Sequence, residues 1–227
     1  MFKIRLRFSK SGPLRYIGHL NFLKVFQQTI RRAGLPAAFS QGFNPHMQLS
    51  FALPLPLGMT SHNDYIDITL ESNMSICDII SRLNAHAPDG LTITGAWAFE
   101  GPGAAAIVTV ADYCLMVGSC KEQTAEIIQS LLSQESIVIP KKTKSGVKDT
   151  DIRPDILDIW TVAKPTSLEE GFMMRLSAGS VRFINPLVVA GLILKQDADA
   201  SSIIRTELYR KSKDNEGIIS LYETPIH

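Results

Sequence analysis

The chain has 227 residues, 45% of them hydrophobic, with a formal net charge of +1. That describes a globular protein with material for one large or two small domains, and no apolar run of about eighteen residues that would span a membrane. The three cysteines (Cys77, Cys114, Cys120) lack a C-x-x-C pair and the five histidines lack H-x-x-x-H spacing, which argues against a zinc knuckle, an iron–sulfur cradle or a sequence-local metal site.

The chain opens with "FKIRLRF" (2–8), where Phe2, Ile4, Leu6 and Phe8 alternate with Lys3, Arg5 and Arg7. Strict alternation predicts a strand with one buried face, and it is not a signal-peptide pattern. Gly12-Pro13 turns the chain into a helix over 18–34, whose Phe22, Leu23, Phe26, Ile30 and Ala33 form one stripe. Gly34 and Pro36 end it. Strands are expected at about 47–53 and 64–70, a helix at 75–87, and a strand at 91–99. The order β-α-β-β-α-β is the ferredoxin-like pattern.

"EGPGAAA" (100–106) reads as a linker, after which a similar series restarts. A strand at 107–118 and a helix at 121–134 lead to "SIVIPKK" and the polar turn "TKSGVKDTD". Strands at 155–163 and 171–178 precede a helix over 185–195, where Asn185-Pro186 supplies an N-cap and a proline at the first helical position. A strand at 202–210 follows, and the tail adds an edge strand. The expected fold class is α+β: two tandem ferredoxin-like halves with antiparallel sheets, residues 1–100 and 107–227.

Charge is unevenly shared between these halves. Residues 1–63 hold eight Lys/Arg (Lys3, Arg5, Arg7, Lys10, Arg15, Lys24, Arg31, Arg32) and no Asp or Glu, leaving 15 basic against 22 acidic residues elsewhere. Such a segment needs either the acidic remainder of the chain or an external anion. In a ferredoxin-like half both helices cover one sheet face, so Lys3, Arg5 and Arg7 belong on the open one. RNA-binding modules hold single strands on such faces. The competing reading is cross-strand pairing of these arginines with Asp64 or Asp67.

Other candidates are local. His19, placed on the buried side of the first turn of the helix, and His46 are the groups that could act as general base, with Ser9, Ser11, Arg15 and Tyr16 near His19 in sequence. "FSQGFNPHMQLSFALPLPLG" (39–58) is dense in turn formers and large apolar residues, and Pro54 and Pro56 bar it from the middle of a sheet. It reads as a rigid scaffold segment with Phe43, Asn44 and His46 at its rim. Leu53, Leu55 and Leu57 are expected to pack between the halves. Lys141, Lys142, Lys144 and Lys148 form a second basic cluster, "DIRP" brings Asp151 and Arg153 together, and the Gly179-Ser180 turn offers weak phosphate chemistry.

The run "RFSKSGPLRYIGHLNFLKVFQQTIRRAGLPAAFSQGFNPHMQLSFALPLPLGMTSHNDYIDI", with "KDTDIRP", "NP" at 185–186 and "RTELY" at 205–209, resembles the radical SAM-associated domain of unknown function 2344. Where that family often carries aspartate after the His-Leu pair, this chain has Asn21. Phe39 and Met47 also depart from its usual residues. The chain has no C-x-x-x-C-x-x-C motif, so the resemblance implies an accessory module rather than a radical SAM enzyme. A radical SAM enzyme is the implied partner. RNA as the anionic ligand follows from the charge asymmetry, not from the family.

Together these features lead to a cytoplasmic, non-catalytic binding module without metal or cofactor. Its candidate ligand-binding residues are Lys3, Arg5, Arg7, Arg15, Arg31, Phe43, Asn44, His46, Asp151 and Arg153. The alternative is a metal-independent RNA endonuclease using His19 or His46.

Overall fold

The computed structural model describes residues 1–117, 122–143, 146–163, 170–212 and 217–222. Cys120 and Lys144 lie outside these ranges. The first strand, β1 (Phe2–Lys10), sends Ile4, Leu6 and Phe8 into a core shared with α1 (His19–Arg32) and α2 (Ile76–His86). Phe8, Phe22, Phe26 and Phe51 fill its centre with ring centroids 4.9–5.8 Å apart. Such edge-to-face and stacked contacts add to the apolar burial itself. A 3-10 turn at Gly12–Tyr16 joins β1 to α1. Gly90 (φ +90°) tightens the turn opposite: its carbonyl accepts from Ser11 N at 2.8 Å, and a Cβ there would collide with the Ser11 carbonyl oxygen.

The remaining strands of this half are β2 (Leu49–Phe51), β3 (Thr60–Leu70) and β4 (Leu91–Ala98). The expected strand at 47–53 shrinks to three residues because Pro54 and Pro56 cannot donate to a ladder. The expected linker contains a short helix, α3 (Ala104–Ile107). After β5 (Val108–Val117) and α4 (Glu122–Ser133), strands β6 (Val138–Thr143) and β7 (Gly146–Asp151) pair as a separate hairpin. The polar segment read as a turn is thus mostly the second arm of that hairpin. Then come β8 (Ile156–Ala163), β9 (Glu170–Ser177), α5 (Pro186–Leu194), β10 (Ile203–Lys211) and β11 (Ile218–Ser220). Asn185 caps α5, its side-chain oxygen accepting from Leu187 N at 3.1 Å.

The elements form a mixed α+β molecule around a large, mostly antiparallel sheet. Its order is β4-β1-β3-β10-β5-β9-β8, with β2 on the edge of β3 and β11 on β10. The parallel pair β3–β10 makes it continuous, with Thr60 beside Ile204 and Ser61 beside Arg205.

At that seam Arg205 has no exposed surface. Its Nε donates to Asp64 Oδ1 at 2.7 Å, its Nη1 to the Pro54 carbonyl at 3.1 Å and its Nη2 to the Leu53 carbonyl at 2.9 Å. Asp64 lies opposite Phe8 in register, on the face covered by α1 and α2. Arg205 lies opposite Tyr113, on the face covered by α4 and α5. Because their side chains meet, all four long helices occupy one side of the sheet. The same contact docks the proline-rich segment: Leu53 and Leu55 pack on the C-terminal core, whereas Leu57 stays 59% exposed. Packing between the halves thus holds for two of the three leucines.

Lys10 is also buried, 1% exposed, with Nζ donating to the Ile17 carbonyl at 3.0 Å and lying over the Phe22 ring. Burial pushes its pKa down, opposed by Asp64 and reinforced by Arg205.

Two outcomes are expected. Arg205→Leu should cost about 3–5 kcal/mol in urea unfolding, because Asp64 is left buried without its main partner. Combining it with Asp64→Leu should recover a large part of that loss, and strictly additive costs would disprove the coupling. For Lys10, the unfolded chain holds the proton more tightly than the folded one. Its contribution to stability therefore rises with pH between the lowered folded value and the ordinary 10.5. The stability difference between wild type and Lys10→Met should drift accordingly as the pH rises toward 10.5. Parallel curves would refute this.

Candidate functional site

The sheet face away from the long helices collects the alternate residues of each strand. From β1 come Lys3, Arg5 and Arg7, from β3 Tyr65 and Asp67, from β4 Trp97, with Phe99 just beyond it. The other half adds Asp112, Trp160, Arg175, Glu207 and Tyr209.

Arg5 does not present a free charge. Only 5% exposed, it donates to Asp67 through Nε at 2.7 Å and Nη2 at 3.1 Å, and its guanidinium lies 4.4 Å from the Phe99 ring centroid. Asp67 also accepts from Ala104 N at 2.6 Å, which anchors α3 to this face. Cross-strand pairing therefore accounts for Arg5. Asp64, the other carboxylate considered, serves Arg205 instead. The same device recurs in the second half, where Arg175 donates twice to Asp112, each at 2.8 Å, between the rings of Trp160 and Tyr209. Tyr209 also donates to Asp112 at 2.8 Å, and burial followed by that carboxylate pushes its hydroxyl up to about 12. Between the two, Tyr65 donates to Glu207 at 2.6 Å, and burial raises the pKa of both groups.

Lys3 and Arg7 are different. Among the described residues neither makes an ion pair, although the Glu207 carboxylate acts on Arg7 through space. Lys3 is exposed and reaches only the Gly101 carbonyl, at 3.5 Å. Arg7 donates Nε and Nη2 to Thr94 at 3.1 and 3.3 Å and lies 3.9 Å from the Tyr222 ring centroid. Beside Lys3 a groove of about 240 Å³ is lined by Gln48, Ser50, Asp67, Thr69 and Phe99.

The loop before β2 borders this groove, since Gln48 Nε2 donates to the Phe39 carbonyl at 3.1 Å. Ser40 Oγ accepts from His46 N at 3.1 Å and lies 3.0 Å from His46 Nδ1, closing a turn in which Gly42 takes φ +118°. Phe43 stands fully exposed at the tip, while Phe51 is in the core.

The other candidates fall elsewhere. Arg15 donates to the Tyr16 hydroxyl at 2.6 Å on the 3-10 turn. Arg31 occupies the last turn of α1, on the helical side, where a cation complements the helix dipole. Asp151 and Arg153 do not pair side chain to side chain. Asp151 accepts from the backbone N–H groups of Ile137 and Arg153, which hold its carboxyl low, and Arg153 donates to the carbonyls of Leu132, Gln134 and Ile156. They brace the end of α4. His19 is exposed rather than on the buried stripe, its ring 5.3 Å from that of Phe51. No described carboxylate hydrogen-bonds either His19 or His46.

Sequence reading missed Arg205, the Arg175–Asp112 pair and the aromatic groups Trp97 and Tyr222. Only the "RTELY" match pointed toward Arg205. Among the described residues no three His, Cys, Asp or Glu side chains converge as a metal site, and no helix is long and apolar enough to cross a membrane.

No curated protein matches this chain in sequence. Among solved structures, a chain of a Cbf5-Nop10-Gar1 complex is similar with a TM-score of 0.45 and 12% identity, over 91% of this chain and 49% of that one. An unknown protein from Galdieria sulphuraria is similar with a TM-score of 0.26 and 12% identity, over 86% of this chain and 88% of that one. At these scores the likenesses say nothing about function. The family model for uncharacterised proteins conserved in bacteria, DUF2344, matches residues 3–186, from β1 to the start of α5, and the chain belongs to that family.

Proposed function

We propose that this protein is a non-catalytic binding module that holds an anionic polymer, RNA in preference, and presents it to a partner enzyme of the radical SAM class. The reading takes the chain as two ferredoxin-like halves sharing one sheet. It is supported by the strand orders β4-β1-β3-β2 and β10-β5-β9-β8 and by the antiparallel pairing within each.

The observation that carries the proposal is the sheet face away from the long helices. It combines two cations that make no ion pair among the described residues, Lys3 and Arg7, with Trp97, Phe99, Tyr209 and Trp160, all partly exposed. Bases stack on such rings whatever their sequence, and the cations meet the phosphates. Arg5 and Arg175 contribute their planar guanidinium faces rather than net charge, because Asp67 and Asp112 neutralise them.

Binding of a single-stranded oligonucleotide should weaken with salt. Two phosphate contacts predict a log–log slope of about −1.4, a loss of about sevenfold between roughly 50 and 200 mM. Lys3→Ala with Arg7→Ala should remove most of the binding and flatten the slope. Arg5 is unsuitable for this test, since its loss would orphan a buried Asp67. Absence of binding at low salt, or binding that ignores salt, would end the RNA reading. The same RNA incubated with the protein in chelator should stay intact; cleavage would overturn the non-catalytic part.

A further inference from the structure

The end of the described chain returns across the sheet face away from the long helices. Strand β11 is three residues long and pairs with Tyr209–Lys211 of β10, and Leu221 N donates to the Leu208 carbonyl at 3.0 Å. Tyr222 then lies on the face at the β1–β4 end. Its ring centroid is 3.9 Å from the Arg7 guanidinium and 5.3 Å from the Trp97 ring, at 84° to it. The floor is Gly95: a Cβ there would sit 3.4 Å from Tyr222 Cε2, so the absence of a side chain makes room for the ring. Thr94 fixes the Arg7 guanidinium through two of its nitrogens, and Nη1 has no partner among the described residues.

This slot fits a planar ring, and the tryptophan that walls it keeps one unpaired donor. The indole Nε1–H of Trp97 is buried and has no hydrogen-bond partner among the described residues. An unpaired buried donor is costly, and a tyrosine ring has no carbonyl to offer it. A nucleobase has both the flat face and the carbonyl acceptor, and its phosphate would meet Arg7 Nη1 beside it. We infer that the Arg7–Trp97–Gly95 slot is a nucleobase-stacking site for single-stranded RNA, with Tyr222 occupying it as an internal stand-in that RNA must displace. The inference rests on the RNA-binding reading above and names where the first base sits. Leu221 beside it is buried in the core, so displacement needs only the Tyr222 side chain to swing out while β11 stays in place.

Trp97 and Trp160 are the chain's two tryptophans, so Trp160→Phe makes Trp97 the sole tryptophan reporter. In that background, Tyr222→Ala and Tyr222→Phe are titrated with an eight-residue oligouridylate at low salt, following tryptophan fluorescence and oligonucleotide anisotropy together. Stacking strength per base predicts that Tyr222→Ala binds about fivefold tighter or more and quenches Trp97, while Tyr222→Phe, which keeps the ring, behaves as the parent. Equal affinities of parent and Tyr222→Ala by anisotropy would overturn the slot and leave the RNA reading intact. Absence of an anisotropy change in every variant would defeat the RNA reading, and the slot with it. Quenching of Tyr222→Ala by N-acetyltyrosinamide but not by the oligonucleotide would overturn the inference in favour of an aromatic side chain from a protein partner.

Discussion

One guanidinium sets the geometry of this molecule. Arg205 joins the Asp64 carboxylate of one half and the Leu53 and Pro54 carbonyls of the proline-rich segment to the core of the other half. A buried cation tolerates little freedom, because each donor must keep its acceptor away from water. Arginine suits the place: its planar, always-charged fork meets three acceptors at once, which a lysine ammonium in the same position would meet as a point charge. The contact holds the two halves in one sheet and puts their long helices on one side.

The other side acquires its character from that arrangement. A sheet with helices on one face leaves the second face to polar and aromatic side chains. Here the cations divide into two kinds. Arg5 and Arg175 are locked to carboxylates and lie against rings, which stiffens the surface without charging it. Lys3 and Arg7 stay outside such pairs, with Glu207 acting on Arg7 only through space. Exposed pairs would contribute little to stability, but Arg5–Asp67 and Arg205–Asp64 are buried, where loss of one partner strands the other. The acid-free first 63 residues are therefore matched by an ion pair at Arg5, more loosely by Asp64 at Lys10 and by Glu207 at Arg7, and left open at Lys3.

The proline-rich stretch connects these two themes. It cannot extend a ladder, yet its carbonyls accept from Arg205 and its Leu53 and Leu55 side chains enter the neighbouring core. The loop before it is held by Ser40 and Gln48 and carries Phe43 at its tip, and Gln48 lines the groove beside Lys3. Hydrogen bonds made within the loop, rather than burial, fix its turn.

Local pattern was enough to place most elements. Alternation in "FKIRLRF", the apolar stripe of α1 and the Asn185-Pro186 cap depend on residues a few positions apart, and they act the same way in any fold that keeps them. Sequence also showed that residues 1–63 lack acids, and that Pro54 and Pro56 end a strand. It could not choose between Asp64 and Asp67 as the partner of Arg5, because both lie on β3 and only the register and the face of each residue separate them. It placed His19 on a buried stripe that the entry angle of α1 turns toward solvent. Nor could it foresee Tyr222 on Arg7, since 215 residues of chain separate them and only the pairing of β11 with β10 brings the tail back. Periodicity is written in near neighbours. Which charges are neutralised, and which rings lie exposed on one face, is decided where distant strands meet.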